Sequence, residues 1–301
     1  MNNTENSRYA IGADIGGSHI TSAVVDLTTG QISTPPVTTP VDSSSAAENI
    51  LDAWSRNLTE TLDSSTHGID GVGIAMPGPF DYSRGISLVR GVCKFETLFG
   101  LDVKQSLLDR LNHSGVKKIK FINDASAFAL GEALGGSARD CDAFMALTLG
   151  TGVGSGFVRD NALVENGPDV PANGWVYCLP FDDSIADDAF STRWFIKRFR
   201  ELRGVNVNGV HEVAMRYGTD PTSRQLFDEF GSRLARFAMP LLERFGCDTL
   251  VFGGNIARSY DLFSPAMKRT FAQSGKAIDT KVSSLMDKAS LVGAASLFKK
   301  H

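Results

Sequence analysis

Cysteine, long apolar segments and net charge are all scarce in this sequence, and each scarcity argues against a class of protein. The four cysteines, Cys93, Cys141, Cys178 and Cys247, are scattered without a CxxC pair, so neither a disulfide framework nor a clustered zinc site is indicated. No apolar run is long enough to cross a bilayer, and the polar N-terminus MNNTENSRY lacks an export signal. A net charge of −4 gives no basis for binding nucleic acid or an anionic membrane. The sequence therefore predicts a cytoplasmic protein with a small-molecule partner.

Two common nucleotide motifs and one common metal motif are also missing. No GxGxxG segment opens a predicted helix and no GxxxxGK[ST] segment is present, so neither a Rossmann fingerprint nor a P-loop is supported. His211 and Glu212 begin like the HExxH motif of metalloproteases, but Met215 stands where the second histidine would be. Any nucleotide site in this chain is therefore expected to use other glycine turns.

The chain of 301 residues is long enough for two domains with substantial cores. Its apolar periodicities alternate between those of strands and those of helices, which indicates a mixed α/β chain. The predicted strands span about 9–15, 20–26, 31–38, 71–76, 118–123, 143–149 and 249–252. The predicted helices span about 46–62, 101–111, 125–132, 187–202, 224–245, 262–273 and 291–299.

The stretch from Lys118 to Glu132 predicts a half-buried strand that leads directly into a small-residue helix. Asn123 and Asp124 stand at the junction, so the Asp124 carboxylate is expected at the C-terminal end of a strand. Ligands bind at that edge of open α/β sheets. The structural alternative is that Asp124 only caps the helix, a role for which aspartate is common.

Three glycine-rich turns follow predicted strands. They are Gly16-Gly17-Ser18, which comes just after Asp14, then Gly150-Thr151-Gly152, and finally Gly253-Gly254. Glycine lets backbone N–H groups approach a phosphate closely, the Thr151 hydroxyl would add a donor, and Asp14 would hold a hydrated Mg²⁺. Each turn by itself is also explained as a tight β-turn without a ligand.

The turns and the aspartates together indicate a function that none of them indicates alone. Another predicted strand runs into Pro77-Gly78-Pro79, a rigid loop that either lines a pocket or serves only as a turn. Phosphoryl transfer needs backbone donors and Mg²⁺ around a triphosphate, together with a base that accepts the proton of the attacking hydroxyl. The glycine turns, Asp14 and Asp124 match those requirements.

With these motifs the chain resembles the ROK family (repressor, open reading frame, kinase) of sugar kinases. Six stretches carry the resemblance, in the family's order and along nearly the whole chain: IGADIGGSHI, GVGIAMPGPFD, FINDASAFALGE, LTLGTGVGSGF, LVFGGNI and KASLVGAASLF. The resemblance implies two α/β domains of the actin/hexokinase-like (ribonuclease H-like) ATPase fold around a central cleft that closes on the sugar. The expected domains are residues 1–123, joined by a C-terminal helix at about 288–301, and residues 124–287.

The resemblance also implies a role for each matching residue. Asp124 would be the general base, and Asn123 and Gly78 would bind the sugar. Asp14 would hold Mg²⁺ through water. The other residues expected at the phosphates and the nucleotide of ATP are Gly16, Gly17, Ser18, Gly150, Thr151, Gly152, Gly253 and Gly254.

Three family segments are altered in this chain. The family's GExGHxP segment, whose Glu and His bind sugar and whose His is often a zinc ligand, corresponds to GWVYCLP at 174–180, with Trp175 and Cys178 at those two positions. A short acidic connection at 181–188 replaces the cysteine-rich CxCGxxGCxE loop, so no zinc site is expected. The family's PNLP asparagine is not evident in RGVCKF at 90–95.

These changes bear on the acceptor. Losing a carboxylate and an imidazole removes charge-assisted hydrogen bonds to sugar hydroxyls, which puts ordinary glucose specificity in doubt. Trp175 and Cys178 remain the substrate-binding candidates of this segment, and Trp175 is expected to offer a stacking face to a pyranose or a less polar acceptor.

The resulting hypothesis is ATP-dependent phosphorylation of a hydroxyl group of a sugar, a sugar derivative or a polyol. The alternative is a catalytically silent sugar or nucleotide sensor of the same fold. A repressor of this family would need an N-terminal helix-turn-helix, whereas only about eight residues precede the first predicted strand. The sequence leaves open a homodimer, the identity of the acceptor, and the choice between ATP and polyphosphate as donor.

Overall fold

The computed structural model describes residues 8–91 and 94–300, so Cys93 lies outside the described residues. Backbone contacts divide the chain into two compact units, one formed by residues up to Arg139 together with those from Asp287 onward, and the other by residues 140–286. The boundary expected after residue 123 differs from this division because the helix that begins at Asp124 packs within the first unit. Within the described ranges, no helix combines the length and hydropathy that crossing a bilayer requires.

The first unit is built on a mixed five-stranded sheet. In chain order the strands of this unit are β1 Tyr9–Ile15, β2 His19–Asp26, β3 Val37–Pro40, β4 Ile69–Met76, the short hairpin β5 Phe80–Asp81 and β6 Ile86–Ser87, and β7 Ile119–Asn123. The sheet has the order β3-β2-β1-β4-β7. β2 is antiparallel to both of its neighbours, whereas β4 is parallel to β1 and to β7. The carboxyl ends of β1, β4 and β7 therefore share one edge.

Helices pack against this sheet, either directly or through another helix. They are α1 Ala47–Asp63, α2 Val103–Arg110 and α3 Asp124–Gly135. Trp54 lies on the apolar face of α1 and is fully buried. A buried polar pair also fixes α1 on the sheet, because the Ser22 hydroxyl donates to Asn57 Oδ1 at 2.7 Å.

The third strand begins later than the sequence pattern predicted. We expected it from about 31 to 38, but regular pairing with β2 starts at Val37, and Ile32 forms only an isolated bridge with Val25. Pro35 and Pro36 lie between these two points and have no N–H group to donate to a ladder. The prolines therefore interrupt the strand.

The second unit contains another mixed five-stranded sheet. In chain order the strands of this unit are β8 Ala143–Leu149, β9 Val153–Arg159, β10 Ala162–Leu163, the hairpin β11 Pro180–Phe181 and β12 Ser184–Ile185, then β13 Thr249–Gly253 and β14 Asp279–Val282. The sheet order is β10-β9-β8-β13-β14, with β13 parallel to both β8 and β14. The ends of β8 and β13 that carry the glycine turns thus lie side by side.

The helices of the second unit pack on an aromatic-rich core. They are α4 Ala186–Phe190, α5 Thr192–Arg203, α6 Val210–Met215, α7 Pro221–Phe245 and α8 Tyr260–Gln273. Helix α7 begins where the Asp220 side chain accepts the Thr222 N–H at 2.8 Å, and it ends at Gly246 in the left-handed region. Apolar residues along one face of α7 are buried, among them Phe230 and Leu234.

The single helix predicted over 187–202 is divided in the structure. Helix α4 ends at Phe190, and Ser191 has extended dihedral angles (φ −98°, ψ 171°) before α5 begins. The interruption has a tertiary cause, because the N–H and the hydroxyl of Thr192 both donate to the Gly150 carbonyl, at 2.8 and 3.0 Å. Apolar periodicity does not reveal such a long-range bond.

The closing helix α9, Ala289–Ser296, belongs to the first unit. Its small residues allow backbone to approach backbone. A Cβ atom on Gly293 would lie 1.7 Å from the Ala127 carbonyl oxygen of α3, and one on Gly73 of β4 would lie 1.8 Å from the Ala294 carbonyl oxygen. Helix α9 therefore fits between the sheet and α3 only because glycine occupies these contact points.

Candidate active site

Four predicted site residues lie along the shared carboxyl edge of the first sheet. Asp14 is near the end of β1, Gly78 follows β4, and Asn123 ends β7 directly before Asp124. The register aligns Asp14 with Ala75 of β4, while Met76 of β4 aligns with Asn123. The parallel pairing of these strands brings together residues that are far apart in sequence. This is the edge at which α/β sheets bind ligands.

The junction between β7 and α3 separates the roles of Asn123 and Asp124. Asn123 is the N-cap, and its Oδ1 accepts the N–H groups of Ala125 and Ser126 at 3.0 and 3.3 Å. Asp124 is the first helical residue and is therefore not the N-cap. Its Oδ1 still accepts the Ala125 N–H at 2.9 Å, which orients the carboxylate.

Tyr82 is a contact of this junction that the sequence pattern did not reveal. Its hydroxyl donates to the Met76 carbonyl at 3.0 Å and lies 3.3 Å from Asn123 Nδ2, which donates to it. A Cβ atom on Gly78 would lie 3.3 Å from the same hydroxyl. The only sequence signal was an aromatic hydroxyl placed shortly after the Pro-Gly-Pro loop. Tyr82 therefore links the loop after β4 to the end of β7.

The carboxyl groups at this edge influence one another. Desolvation by the surrounding protein, together with the charges of Asp124 and Asp287, raises the pKa of Asp14 from 3.8 to about 7. Part of the Asp124 side chain is open to solvent, but protein atoms around its carboxyl group desolvate it and raise its pKa as well, against the lowering effect of the Ala125 N–H. A divalent cation would relieve this repulsion, so these residues fit a Mg²⁺ ion held by Asp14 with water and phosphate oxygens.

The raised pKa of Asp14 predicts how stability depends on pH in the metal-free protein. The folded state binds this proton more tightly than the unfolded state does, so the stabilising contribution is complete below 3.8 and disappears as the pH rises through about 7. The contribution has an upper limit of about 4 kcal/mol. Urea unfolding with a chelator should show that Asp14→Asn loses less stability than the wild type between these pH values.

The comparison between the two proteins is necessary because other groups act in the opposite direction. The Arg8 guanidinium holds the pKa of Asp26 below its ordinary value, so that pair is weakened as the pH falls. Both proteins share this effect, and it cancels in their difference. Parallel stability profiles for wild type and Asp14→Asn would contradict the prediction.

The Gly16-Gly17-Ser18 turn connects β1 to β2 in the first unit. The Gly16 N–H donates to the His19 carbonyl at 2.9 Å, which closes the turn. The N–H groups of Gly17 and Ser18 donate to no acceptor within the described part of the chain. They are thus available to an anion such as a phosphate.

The two predicted glycine turns of the second unit lie against each other. A Cβ atom on Gly254 would lie 2.4 Å from the Leu149 carbonyl oxygen, so the turn after β13 touches the end of β8. Gly254 also has a φ of 80°, in the region that favours glycine. In the turn after β8, the N–H groups of Thr151 and Gly152 donate to no acceptor among residues 8–91 and 94–300. This edge therefore offers a second pair of free donors.

Charged side chains fix the Gly150–Gly152 turn, and no motif in the sequence identified them. Asp187 Oδ1 accepts the Val153 N–H at 2.8 Å, and Asp187 Oδ2 pairs with Arg193 at 2.5 Å. Arg193 Nη1 in turn donates to the Thr151 carbonyl at 2.6 Å. Asp187 and Arg193 therefore hold both sides of the turn, and their only sequence signal was their position in and shortly after the short acidic connection.

The GWVYCLP segment is anchored on β9 in the same unit. The Ser155 hydroxyl donates to the Gly174 carbonyl at 2.6 Å and accepts the Val176 N–H at 3.1 Å. Trp175 is partly exposed, with its ring centroid 6.0 Å from that of Tyr177, and Cys178 is exposed. Trp175 and Tyr177 thus present aromatic surface to solvent, as a stacking platform would.

No metal cluster is found in the part of the chain that the structure describes. No group of three or more His, Cys, Asp or Glu side chains there is arranged to hold a metal ion. A cavity of about 560 Å³ near Cys141 and Cys247 opens at the amino ends of β8 and β13, away from the glycine turns. Burial raises the pKa of the Cys247 thiol to about 11, which makes it a poor nucleophile. This cavity is therefore not the candidate site.

Comparison with known proteins defines the class to which this chain belongs. The chain has the two-domain α/β fold of sugar kinases, as predicted: it superposes on a crystal structure of a ROK family glucokinase from Streptomyces griseus in complex with glucose and AMPPNP with a TM-score of 0.70. The sequence identity is 23%, and the match covers 96% of this chain and 98% of that one. The chain belongs to the ROK family, whose model matches residues 10–169 and 181–301.

Two relatives extend along nearly the whole chain. A glucokinase from Thermotoga maritima is 26% identical over 321 aligned positions, which cover 97% of each protein. An N-acetyl-D-glucosamine kinase from Mannheimia succiniciproducens is also 26% identical, over 95% of this chain and 98% of the relative. The family model does not match residues 170–180, which contain the altered GWVYCLP segment.

Proposed function

We propose that this chain is a carbohydrate kinase that transfers a phosphoryl group from ATP to a hydroxyl of a sugar or sugar derivative, with Asp124 as the general base. The observation that carries the proposal is the placement of the Asp124 carboxylate at the carboxyl end of β7, where its charge acts on Asp14 and desolvation raises its own pKa. The glucokinase and N-acetyl-D-glucosamine kinase relatives support a sugar as the class of acceptor.

Asp124 would accept the proton of the attacking hydroxyl. Its Oδ1 is engaged by the Ala125 N–H, so Oδ2 is the oxygen directed to the substrate in this proposal. Raising the pKa of a carboxylate increases its proton affinity, which suits a base that works near neutral pH. The Ala125 bond keeps the carboxylate in one orientation while the proton moves.

Asn123 and Gly78 would position the sugar. Because Asn123 Oδ1 is committed to the helix cap, only its NH2 group is available to a substrate. One of the two hydrogens of this group donates to the Tyr82 hydroxyl. The other hydrogen would donate to a sugar hydroxyl. Tyr82 would hold the amide in place, and Gly78 would let the acceptor approach the backbone of the loop.

The phosphates would be bound by backbone N–H groups and by the metal. The free N–H donors are those of Gly17 and Ser18 in the first unit and of Thr151 and Gly152 in the second. Asp14 would hold Mg²⁺ through water, and the ion supplies positive charge to the phosphate oxygens when bound. Gly253 and Gly254 would receive the nucleotide, and the AMPPNP complex of the Streptomyces griseus glucokinase supports ATP as donor.

Trp175 would decide which acceptor is preferred. Its partly exposed ring, next to that of Tyr177, offers a face on which a pyranose can stack, where a carboxylate would instead bind hydroxyls. We expect Trp175→Glu to change the ranking of acceptors by kcat/KM in a panel of hexoses, N-acetylhexosamines, pentoses and polyols. An active Trp175→Glu enzyme with an unchanged ranking would exclude this role.

The same altered segment supports a second candidate, a sensor that binds sugar or nucleotide without turnover. Trp175 and Cys178 occupy positions at which the family has a carboxylate and an imidazole. The residues expected to bind the acceptor have therefore changed, whereas the aspartates proposed for catalysis are present. Such a protein would bind a ligand from the panel, seen by calorimetry, yet release no ADP.

The first experiment is coupled ADP release with Mg·ATP and each acceptor of the panel. Acceptor-dependent ADP release by the wild type would establish the kinase and name its substrate class. Inorganic polyphosphate should be tested in parallel as donor, because backbone N–H groups bind phosphates without recognising a base. A folded wild type that releases no ADP with any acceptor would overturn the kinase proposal.

A further inference from the structure

Lys94 lies over the first glycine turn. A Cβ atom placed on Gly17 would lie 3.0 Å from Cδ, from Cε and from Nζ of Lys94, so the lysine side chain runs along the open face of the turn. Lys94 belongs to the 90–95 stretch in which the family's asparagine motif was not evident. Within the described residues, Lys94 forms no ion pair. Its ammonium group is therefore uncompensated beside two free N–H donors.

The turn and Lys94 are held by the same scaffold. The Phe95 N–H donates to the Ser43 carbonyl at 2.8 Å, and the Phe95 ring is buried against Trp54 with a centroid distance of 5.4 Å. Two residues before Ser43, the Val41 N–H donates to the Ser18 carbonyl of the turn at 2.8 Å. The backbone next to Lys94 is thus fixed with respect to the Gly16–Ser18 turn.

The negative charge of the nearby carboxyl groups indicates a role for this lysine. The negative charges of Asp124 and Asp287 already act on Asp14, and all three carboxyl groups belong to the first unit. A phosphate would meet repulsion at this edge unless cations compensated for it. The free N–H groups of Gly17 and Ser18 carry only partial charges, and a lysine ammonium supplies a compact full charge.

We propose that Lys94 is a catalytic residue whose ammonium group binds the transferred phosphoryl group at the Gly16–Ser18 turn. The inference rests on the proposed kinase function and adds a residue to it. As the bond to the leaving oxygen breaks and the bond to the acceptor oxygen forms, negative charge on the phosphoryl oxygens is stabilised by Nζ. Lys94 keeps its proton throughout, because Asp124 takes the proton of the acceptor.

The test compares Lys94→Ala and Lys94→Arg with Lys117→Ala, which removes an exposed lysine of the same unit just before the amino end of β7, opposite the edge that carries the candidate site. We expect Lys94→Ala to lower kcat of acceptor-dependent ADP release by about 10²-fold, the typical effect of removing one charge-stabilising donor. The KM of the acceptor should change little, since a phosphate contact does not hold the sugar. Lys94→Arg should recover part of kcat, and Lys117→Ala should match the wild type.

A double-mutant cycle with Gly17→Ala distinguishes loss of the contact between Lys94 and Gly17 from a nonspecific loss of activity. In the wild type, the added Cβ would displace the Lys94 side chain. In the Lys94→Ala background there is no long side chain to displace, so Gly17→Ala should cost clearly less there than in the wild type. Equal losses in the two backgrounds would show that Lys94 does not act at the turn.

Binding of pyrophosphate, measured by calorimetry, keeps this inference distinguishable from the kinase proposal. If the wild type releases no ADP with any acceptor, the kinase proposal fails, and Lys94 is judged by pyrophosphate binding alone. We expect Lys94→Ala to weaken that binding about tenfold relative to Lys117→Ala. Equal affinity in the two variants, absence of pyrophosphate binding by the wild type, or equal kcat in an active enzyme would each overturn the role of Lys94.

Discussion

Asp124→Asn is expected to lower kcat of acceptor-dependent ADP release by about 10³-fold, within the range for loss of a general base. The substitution keeps the shape of the side chain, and the amide oxygen can still accept the Ala125 N–H that Oδ1 accepts now. It removes the group that takes the proton of the acceptor hydroxyl. Helix α3 should stay intact, because the cap is supplied by Asn123.

The measurement is coupled ADP release with the best acceptor of the wild type, together with calorimetric binding of that acceptor. Asp63→Asn is the matched control, because Asp63 is a carboxylate at the end of α1 and lies on the same unit. Acceptor binding within a few-fold of wild type combined with a lost kcat would identify a chemical role. A kcat within tenfold of wild type would rule out Asp124 as the base.

The pH profile gives an independent check on the same residue. A general base must be deprotonated, so kcat/KM should rise with pH through the pKa of Asp124. Because desolvation raises that pKa, the acidic limb is expected above the ordinary value of 3.8. The limb should be absent from the residual activity of Asp124→Asn.

The second large effect concerns stability. Gly293→Ala is expected to lower the free energy of unfolding by about 3 kcal/mol or to prevent folding, because the new Cβ would lie 1.7 Å from the Ala127 carbonyl oxygen. In an unconstrained helix the same substitution raises the stability by about 1 kcal/mol. The steric contact and helix propensity therefore predict opposite signs for the change in the free energy of unfolding. The clash is with backbone, and no side-chain rotation relieves it.

Urea unfolding of the purified variants tests this prediction, with Gly218→Ala as control. A Cβ atom on Gly218 would have no atom within 4 Å, and this residue does not need a positive φ. The control should unfold at nearly the wild-type midpoint. If Gly293→Ala also unfolds at the wild-type midpoint, α9 does not require glycine at this contact.

The consequence of this packing reaches the candidate site. Helix α9 touches α3 through Gly293, β4 through Gly73, and β1 through Gly12, whose Cβ would lie 1.8 Å from the Leu291 carbonyl oxygen. The elements that carry Asp14 and Asp124 are thus held against one helix. A partly folded Gly293→Ala protein is therefore expected to lose activity as well as stability.

Much of the fold was readable from local sequence. Short apolar runs that end in glycine turns predicted β1, β8 and β13, and helical periodicity predicted α1 and α7 within a few residues. Membership of the ROK family and the two-domain α/β fold are confirmed. These features succeed because strand, helix and turn preferences act over a few neighbouring residues.

Predictions from local sequence failed where a residue far away in the chain determines the local structure. The predicted helix over 187–202 is interrupted because Thr192 bonds to the Gly150 carbonyl, a contact between residues far apart in the chain. Asp187, Arg193 and Tyr82 carry no motif, and their importance appears only in their bonds to the site turns. Sequence spacing holds no information on such partners.

The sequence by itself determined the family and the α/β class, because these follow from short motifs and periodicity. The tertiary structure alone decided that the helix predicted over 187–202 is interrupted before Thr192, and that Lys94 lies over Gly17. It also decided that the Asp14 carboxyl group has a pKa of about 7. The physical reason is common to all three: burial, long-range hydrogen bonds and charge proximity depend on groups that only the folded chain brings together.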